Sequence, residues 1–98
     1  MSAPGTDVVV TDSPEQGRWE ARVGDELAGV AVYRRTDGVV EFVHTEVEPA
    51  FEGRGIGGAL ARTSLDAARH DGLRVVASCP FYAAWIAKHP DYQDLLAT

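Results

Sequence analysis

Four of the ten glycines fall within one short segment, at positions 53, 55, 57 and 58, with Arg54 among them. Glycine lets the backbone adopt positive φ and lets a ligand approach the main chain closely. The helical pattern that begins at Ile56 would present unpaired N–H groups and a partial positive charge at its first turn. This combination predicts a loop that binds a pyrophosphate.

Two familiar phosphate-binding patterns do not fit this segment. The Walker pattern needs a Lys-Ser/Thr pair, which is absent here. The dinucleotide fingerprint is literally present as Gly53, Gly55 and Gly58, but it follows an antiparallel meander. The acidic ribose partner expected about 20 residues further on is also missing, since that position falls at 77–79. A nicotinamide-type dinucleotide is therefore disfavoured.

Two further side chains could take part in chemistry. Cys79, the single cysteine, lies where a predicted strand gives way to a helix, and a helix N-terminus favours the nucleophilic thiolate. The alternative is a small buried apolar residue. His44 is expected to share a strand face with Val40 and Phe42 and could act as a general base, directly or through water. Glu46 on the same face could do likewise; the alternative for His44 is a hydrogen-bonded core histidine.

Hydrophobic periodicity predicts the elements that would position these residues. Strands are predicted at 8–11, 18–23, 26–35, 39–47 and 73–78, helices at 56–70 and 80–88, and one more helical turn at 91–96. Turn signals make the first half an antiparallel meander of three or four strands. The last strand follows a crossover helix and should lie parallel to the 39–47 strand. The predicted fold is α/β (α+β) with a mixed sheet, a meander followed by β-α-β-α.

Length and composition limit the classes of function. The 98 residues are expected to form a single domain, 1–98, with 1–6 as a frayed tail. A net charge of −6 argues against nucleic acid and is compatible with a cationic amine substrate. No signal peptide or membrane span is expected. One cysteine fits a reducing compartment, so we expect a cytoplasmic location, and no cysteine/histidine spacing suggests a metal site.

A family resemblance narrows the choice of ligand. The run Glu52-Gly53-Arg54-Gly55-Ile56-Gly57, followed by Leu60, closely resembles motif A of the GNAT superfamily, the acetyl-CoA-dependent N-acetyltransferases. In that motif Gln/Arg-x-x-Gly-x-Gly/Ala opens a helix. The resemblance to a small single-domain branch covers Phe42 to Leu96, through segments 42–47, 72–75, 79–81 and 89–92. The departure is Glu52, which stands at the first motif position in place of Gln or Arg.

The resemblance implies a minimal GNAT-like fold in which two central strands splay apart around acetyl-CoA. The pantetheine arm would pair with strand backbone around Thr45, Glu46 and Val47. The pyrophosphate would lie on the N–H groups of Gly53, Gly55, Ile56, Gly57 and Gly58, with Arg54 adding a charge-assisted contact. The acetyl thioester would then lie by His44 and Cys79.

The resemblance also implies transfer of the acetyl group to an amine, either a small molecule or a protein lysine or N-terminus. Transfer could be direct or could pass through an acetyl-Cys79 intermediate. The family often places a tyrosine in the last helix to protonate the departing thiolate; that position falls on Trp85, and Tyr82 is a possible substitute at the cofactor. Both are equally plausible as core aromatics. The alternative function is a non-enzymatic acyl-CoA-binding or regulatory module, and the oligomeric state is open.

Overall fold

A five-stranded mixed sheet forms the centre of the protein in a computed structural model that describes residues 8–97. The strands are β1 (Val8–Ser13), β2 (Arg18–Val23), β3 (Glu26–Thr36), β4 (Val39–Val47) and β5 (Arg74–Ala77). The helices are α1 (Ile56–His70) and α2 (Pro80–Ala87), and short 3-10 turns cover Pro14–Gln16, Pro49–Phe51 and Pro90–Leu95. The tail predicted at 1–6 lies outside the described residues.

The strands follow one another across the sheet in the order β1-β2-β3-β4-β5. The first four pair antiparallel, and β5 pairs parallel with β4. The tight turn between β2 and β3 uses Gly24 at φ 61°, a left-handed conformation that favours glycine. The α+β architecture predicted from the sequence, a meander followed by β-α-β-α, is therefore confirmed.

Helix α1 lies across the sheet and contacts all five strands. Its buried stripe has helical spacing and consists of Ile56, Leu60, Ala61, Ser64, Leu65 and Ala68. Helix α2 packs beside α1, because the hydroxyl of its Tyr82 lies 2.7 Å from Ser64 Oγ and its ring stacks on Phe42 at 4.2 Å. Both helices thus lie on the same face of the sheet, where the apolar core is formed.

A β-bulge in β4 reverses which residues face that core. Val32 pairs with His44 and Tyr33 pairs with Phe42, so Val43 is an extra residue without a partner on β3. Phe42 is buried before the bulge, whereas His44 after it is exposed. The prediction that His44 shares a face with Phe42 is therefore wrong, because the extra residue shifts the alternation by one.

The bulge lies where the two central strands separate. Pairing between β4 and β5 covers only Val39–Phe42 and Arg74–Ala77, and it is followed by one bond from the Cys79 N–H to the Phe42 carbonyl at 2.9 Å. Beyond this point β5 has ended and α2 begins, so among residues 8–97 no strand pairs with the second half of β4 on that side. The predicted splay of the central strands is present.

Candidate functional site

The gap beside the second half of β4 presents unpaired strand backbone. The Glu48 N–H donates to the Ala28 carbonyl at 2.8 Å, which directs residue 48 toward β3. Because backbone groups alternate along a strand, those of Glu46 also point to β3, where it pairs with Val30, and those of Thr45 and Val47 point into the gap. The geometry supports Thr45 and Val47 as backbone partners for an extended ligand better than it supports Glu46.

The start of α1 lies near the second half of β4, because a Cβ on Gly29 would lie 2.8 Å from the Glu46 carbonyl oxygen and 2.9 Å from Ile56 Cγ2. Gly53 and Gly55 have φ values of 80° and 76°, which side chains other than glycine rarely adopt. Gly55 is the N-cap residue and supplies no capping side chain, and the first bond of the helix runs from the Ala59 N–H to the Gly55 carbonyl. The N–H groups of residues 56–58 are therefore left without helical partners, an arrangement that favours an anion.

Of the other two loop glycines, Gly57 has a packing role. A Cβ on Gly57 would lie 2.7 Å from the Phe81 ring, closer than real contacts allow. A Cβ on Gly58 would lie 3.8 Å from Trp85 Nε1, which is an ordinary van der Waals contact. Among the loop glycines, Gly53 and Gly55 are therefore needed for backbone conformation, and Gly57 for the close approach of α2 to α1.

The loop carries two charged side chains, Arg54 and Glu52, and Arg54 contacts Phe51. The guanidinium of Arg54 lies 5.1 Å from the centre of the buried Phe51 ring, a cation–π contact that holds Arg54 beside the α1 N-terminus. Glu52, the departure from the family motif, is exposed to solvent. An exposed carboxylate is screened by water, so its effect on an anion at the loop is weakened.

Cys79 lies at the vertex of the gap, as the N-cap residue of α2. Its Sγ is 3.3 Å from Thr45 Oγ1, and only 3% of the residue is exposed. The structure therefore brings together two predicted site residues, one from each splayed strand. The thiol at the vertex is held by a hydrogen bond across the gap.

His44 lies on the opposite face of β4 from this pair. Its Nε2 is 3.5 Å from Glu46 Oε2, and 59% of its side chain is exposed. The two residues form a solvent-facing pair at the mouth of the gap, on the sheet face away from the helices. Both residues lie on the predicted strand, but after the bulge they face solvent and not the core.

Tyr82 belongs to the core. The residue is fully buried, and its hydroxyl hydrogen-bonds with Ser64 Oγ and donates to the Leu60 carbonyl. Burial raises the pKa of Tyr82 well above its ordinary value, which makes it a poorer proton donor. The prediction that Tyr82 contacts the cofactor is corrected on this ground, since its ring and hydroxyl are fully occupied by protein.

Trp85 packs α2 against α1 and the residues that follow α2. It stacks on His89 at 3.7 Å between ring centres, and the Arg62 guanidinium lies 5.4 Å from its ring. His89 Nδ1 also lies 2.6 Å from the Trp85 carbonyl oxygen. Trp85 and His89 therefore pack where α1, α2 and the final 3-10 turn meet.

Two features of the site were missed by the sequence reasoning. One is the Thr45 hydroxyl, because only its backbone was predicted to matter. The other is Phe81, whose motif Cys79-Pro80-Phe81 was noted without a role for the ring. Within residues 8–97 no group of three or more His, Cys, Asp or Glu side chains is arranged to hold a metal ion. No helix in the same range is long and apolar enough to cross a membrane.

Comparison with known proteins agrees with this geometry. A family profile described as GCN5-related N-acetyl-transferase matches residues 18–95. The solution structure of a GCN5-like protein from Staphylococcus aureus superposes with a TM-score of 0.68 at 22% identity, covering 97% of this chain and 91% of that one. At that identity the superposition establishes the fold alone. No curated protein sequence matches the chain significantly.

Proposed function

Because the chain belongs to the family of GCN5-related N-acetyl-transferases, we propose that it binds acetyl-CoA between β4 and β5 and transfers the acetyl group to an amine. One observation carries the proposal. The sheet opens directly beside a helix N-terminus that has no capping side chain, so anion donors and free strand backbone adjoin one cleft. A long ligand with a charged end and an amide-rich arm fits this arrangement.

The phosphate end is held by the α1 N-terminus. The free N–H groups of residues 56–58 point at the cleft, and the positive φ of Gly53 and Gly55 shapes the turn that exposes them. Arg54, held over Phe51, adds a positive charge that neutralises part of the pyrophosphate. Gly57 and Gly58 contribute their N–H groups, and Gly57 also leaves room for the Phe81 ring.

The arm of the ligand pairs with β4. The backbone groups of Thr45 and Val47 that face the gap offer donors and acceptors to the two amides of a pantetheine arm. The Thr45 N–H points into the gap just after the bulge, so it is a candidate donor to the oxyanion that forms at the thioester carbonyl. When bound, acetyl-CoA supplies an activated acetyl thioester at the vertex.

The amine is received from the face that carries His44 and Glu46. Both side chains are solvent-facing and adjacent, and either can take the proton that a substrate ammonium must lose before its nitrogen attacks. A net charge of −6 favours approach of a cationic acceptor. The acceptor class therefore includes small amines and lysine side chains of proteins.

The acetyl group is transferred beside Cys79 and Thr45. In direct transfer the amine nitrogen bonds to the carbonyl carbon as the carbon–sulfur bond breaks, and the thiol of coenzyme A leaves with a proton. In the two-step route Cys79 Sγ first takes the acetyl group and releases the same thiol, and the amine then attacks acetyl-Cys79. The position of the Cys79 thiol at the vertex favours the two-step route.

Binding and transfer are tested separately. Acetyl-CoA at one hundred times its Kd should stabilise the native protein by about 2.7 kcal/mol and raise its Tm, whereas NAD should leave Tm unchanged. No rise with millimolar acetyl-CoA, or an equal rise with NAD, contradicts the proposal. Transfer is then measured as acetylation of a polyamine or a lysine peptide by mass spectrometry.

A second candidate function is an acyl-CoA-binding module that does not catalyse. The observation that favours it is the burial of Cys79, a residue that is 3% exposed and whose thiol is already hydrogen-bonded. Incubation with acetyl-CoA separates the two functions. Binding without acetyl-Cys79 and without any acetylated amine identifies the module, and turnover with an amine identifies the enzyme.

A further inference from the structure

Phe81 is a large apolar side chain that the fold leaves partly uncovered. It lies in the first turn of α2, two residues after Cys79, and 39% of it is exposed. One side of the ring is fixed against α1, because the space that a Cβ of Gly57 would need is occupied by ring atoms at 2.7, 3.1 and 3.3 Å. The ring also meets Tyr82 edge-on, with centres 6.1 Å apart.

The Phe81 ring lies between the two ends of the cleft. Gly57, which it touches, is in the first turn of α1, where the free N–H groups lie. Cys79, two residues earlier, is at the vertex beside Thr45. A ligand that joins the anion site to the vertex runs past the β4 backbone on one side and past the start of α2 on the other.

We propose that Phe81 is a binding residue for the pantetheine arm, forming the apolar wall opposite the backbone of Thr45 and Val47. The inference rests on the proposed acyl-CoA function and adds a side chain to it. The exposed part of the ring covers the apolar section of the arm. In coenzyme A that section is the dimethyl carbon that adjoins the pyrophosphate, and the contact of Phe81 with Gly57 places the ring at this end of the path.

The contact also gives Gly57 a function in ligand binding. Any larger residue at 57 displaces the ring, and the wall of the cleft moves with it. Gly57 is then required for the position of Phe81 as much as for the N–H that it contributes to the anion site. Phe81 and Gly57 act as one unit that sets the width of the cleft.

The test compares two ligands that share the charged end and differ in the arm. Coenzyme A and 3′-phospho-ADP are titrated by calorimetry into the wild-type chain, Phe81→Ala, Phe81→Tyr and Val76→Ala. Val76 is a matched control, since it is 36% exposed on β5. We expect Phe81→Ala to weaken coenzyme A on the order of tenfold, because it removes most of one apolar contact, and to leave 3′-phospho-ADP within about twofold.

Phe81→Tyr keeps the ring and should retain the affinity for coenzyme A, as should Val76→Ala. An unchanged affinity of Phe81→Ala for coenzyme A overturns the inference. An equal loss for both ligands also overturns it, since the ring would then act only through the packing of α1. If the wild-type chain binds neither ligand, the proposed function itself fails.

Discussion

At the scale of single residues, the contact between Thr45 and Cys79 joins the second half of β4 to the start of α2 at the vertex of the gap. It joins a hydroxyl and a thiol at 3.3 Å in a nearly buried setting. A hydroxyl that donates to a thiolate stabilises the charge that an acetyl acceptor must carry. Thr45 is therefore a positioning residue for Cys79 if the acetyl group passes through the thiol.

This pair gives the first prediction. Thr45→Val removes the hydrogen bond and keeps the shape, so acetylation of Cys79 by acetyl-CoA should slow on the order of tenfold. Thr45→Ser keeps the hydroxyl and should react at nearly the wild-type rate. Intact-mass spectrometry over time measures the rate, and Cys79→Ala shows which signal belongs to the thiol. Equal rates for the valine and serine variants would show that the hydroxyl has no part in the reaction.

Glu20 is the one charged residue buried in the described part of the chain. It lies on the sheet face away from the helices, where Arg18 Nε donates to one carboxylate oxygen at 2.9 Å and Arg22 Nη2 donates to the other at 3.2 Å. The hydrogen bond from Arg18 is the main cause that lowers the pKa of Glu20 below its ordinary value of 4.5, against an opposing effect of burial.

The second prediction follows from this shift. A carboxyl whose folded pKa is lowered stabilises the fold above its unfolded pKa, and the stabilisation is lost as the pH falls through the folded pKa. Glu20→Gln should therefore be less stable than the wild type at pH 7, and the difference should shrink once the pH falls below about 4. Urea unfolding across pH 3–7 measures it, with exposed Glu26→Gln as the control. A difference that stays constant with pH contradicts the assignment.

At the scale of elements, α1 combines N–H groups that have no helical partner with a helix-packing surface within its first turn. Gly57 supplies one of these N–H groups, while its missing side chain leaves room for the Phe81 ring. Glycine is otherwise a poor choice inside a helix, by about 0.5–1 kcal/mol relative to alanine. The close approach of α2 explains why it is tolerated here.

The third prediction tests that explanation as a double-mutant cycle. With Phe81 present, Gly57→Ala forces the ring to move and should be neutral or destabilising. In the Phe81→Ala background the same change should stabilise the fold by about 0.5–1 kcal/mol, because only the gain in helix propensity remains. Urea unfolding of the four variants measures the coupling. The same effect of Gly57→Ala in both backgrounds would mean that the Phe81 ring is not the reason for glycine at position 57.

Much of the element structure could be predicted from the sequence. Alternation of apolar residues located the strands to within one or two residues, and the crossover helix implied the parallel pairing of β5. The bulge at Val43 could not be predicted, because one extra residue in a strand leaves no mark in local composition. That single residue is why His44 and Glu46 face solvent while Thr45 faces Cys79.

The limits of prediction within the site have a similar cause. Positive φ was predicted for the loop glycines as a group, and it is adopted by Gly53 and Gly55 but not by Gly57 and Gly58. Position 57 requires glycine because of Phe81. This residue is distant in sequence and contacts α1 only in the folded arrangement of β5 and α2. The same holds for Tyr82, whose partners Ser64 and Phe42 come from two other elements. Contacts between elements decide such roles, and periodicity does not report them.

At the scale of the whole molecule, the helices cover one face of the sheet and the cleft connects that face with the other. The anion site lies on the helical side, at the start of α1, while His44 and Glu46 lie on the opposite side. Donor and acceptor would therefore enter from different faces and meet at the opening between β4 and β5. The acidic net charge and the open second face suit an amine acceptor that is large or flexible.

The central claim is that the cleft between β4 and β5, with the α1 N-terminus, holds coenzyme A. Titration of coenzyme A into uniformly labelled protein, followed by ¹⁵N–¹H correlation spectra, tests it at the level of single amides. We expect saturable shifts at Thr45, Val47 and residues 53–58, with little change in β1 or in Pro90–Leu95. Shifts that cluster elsewhere, or saturation without any change at residues 53–58, would contradict the account.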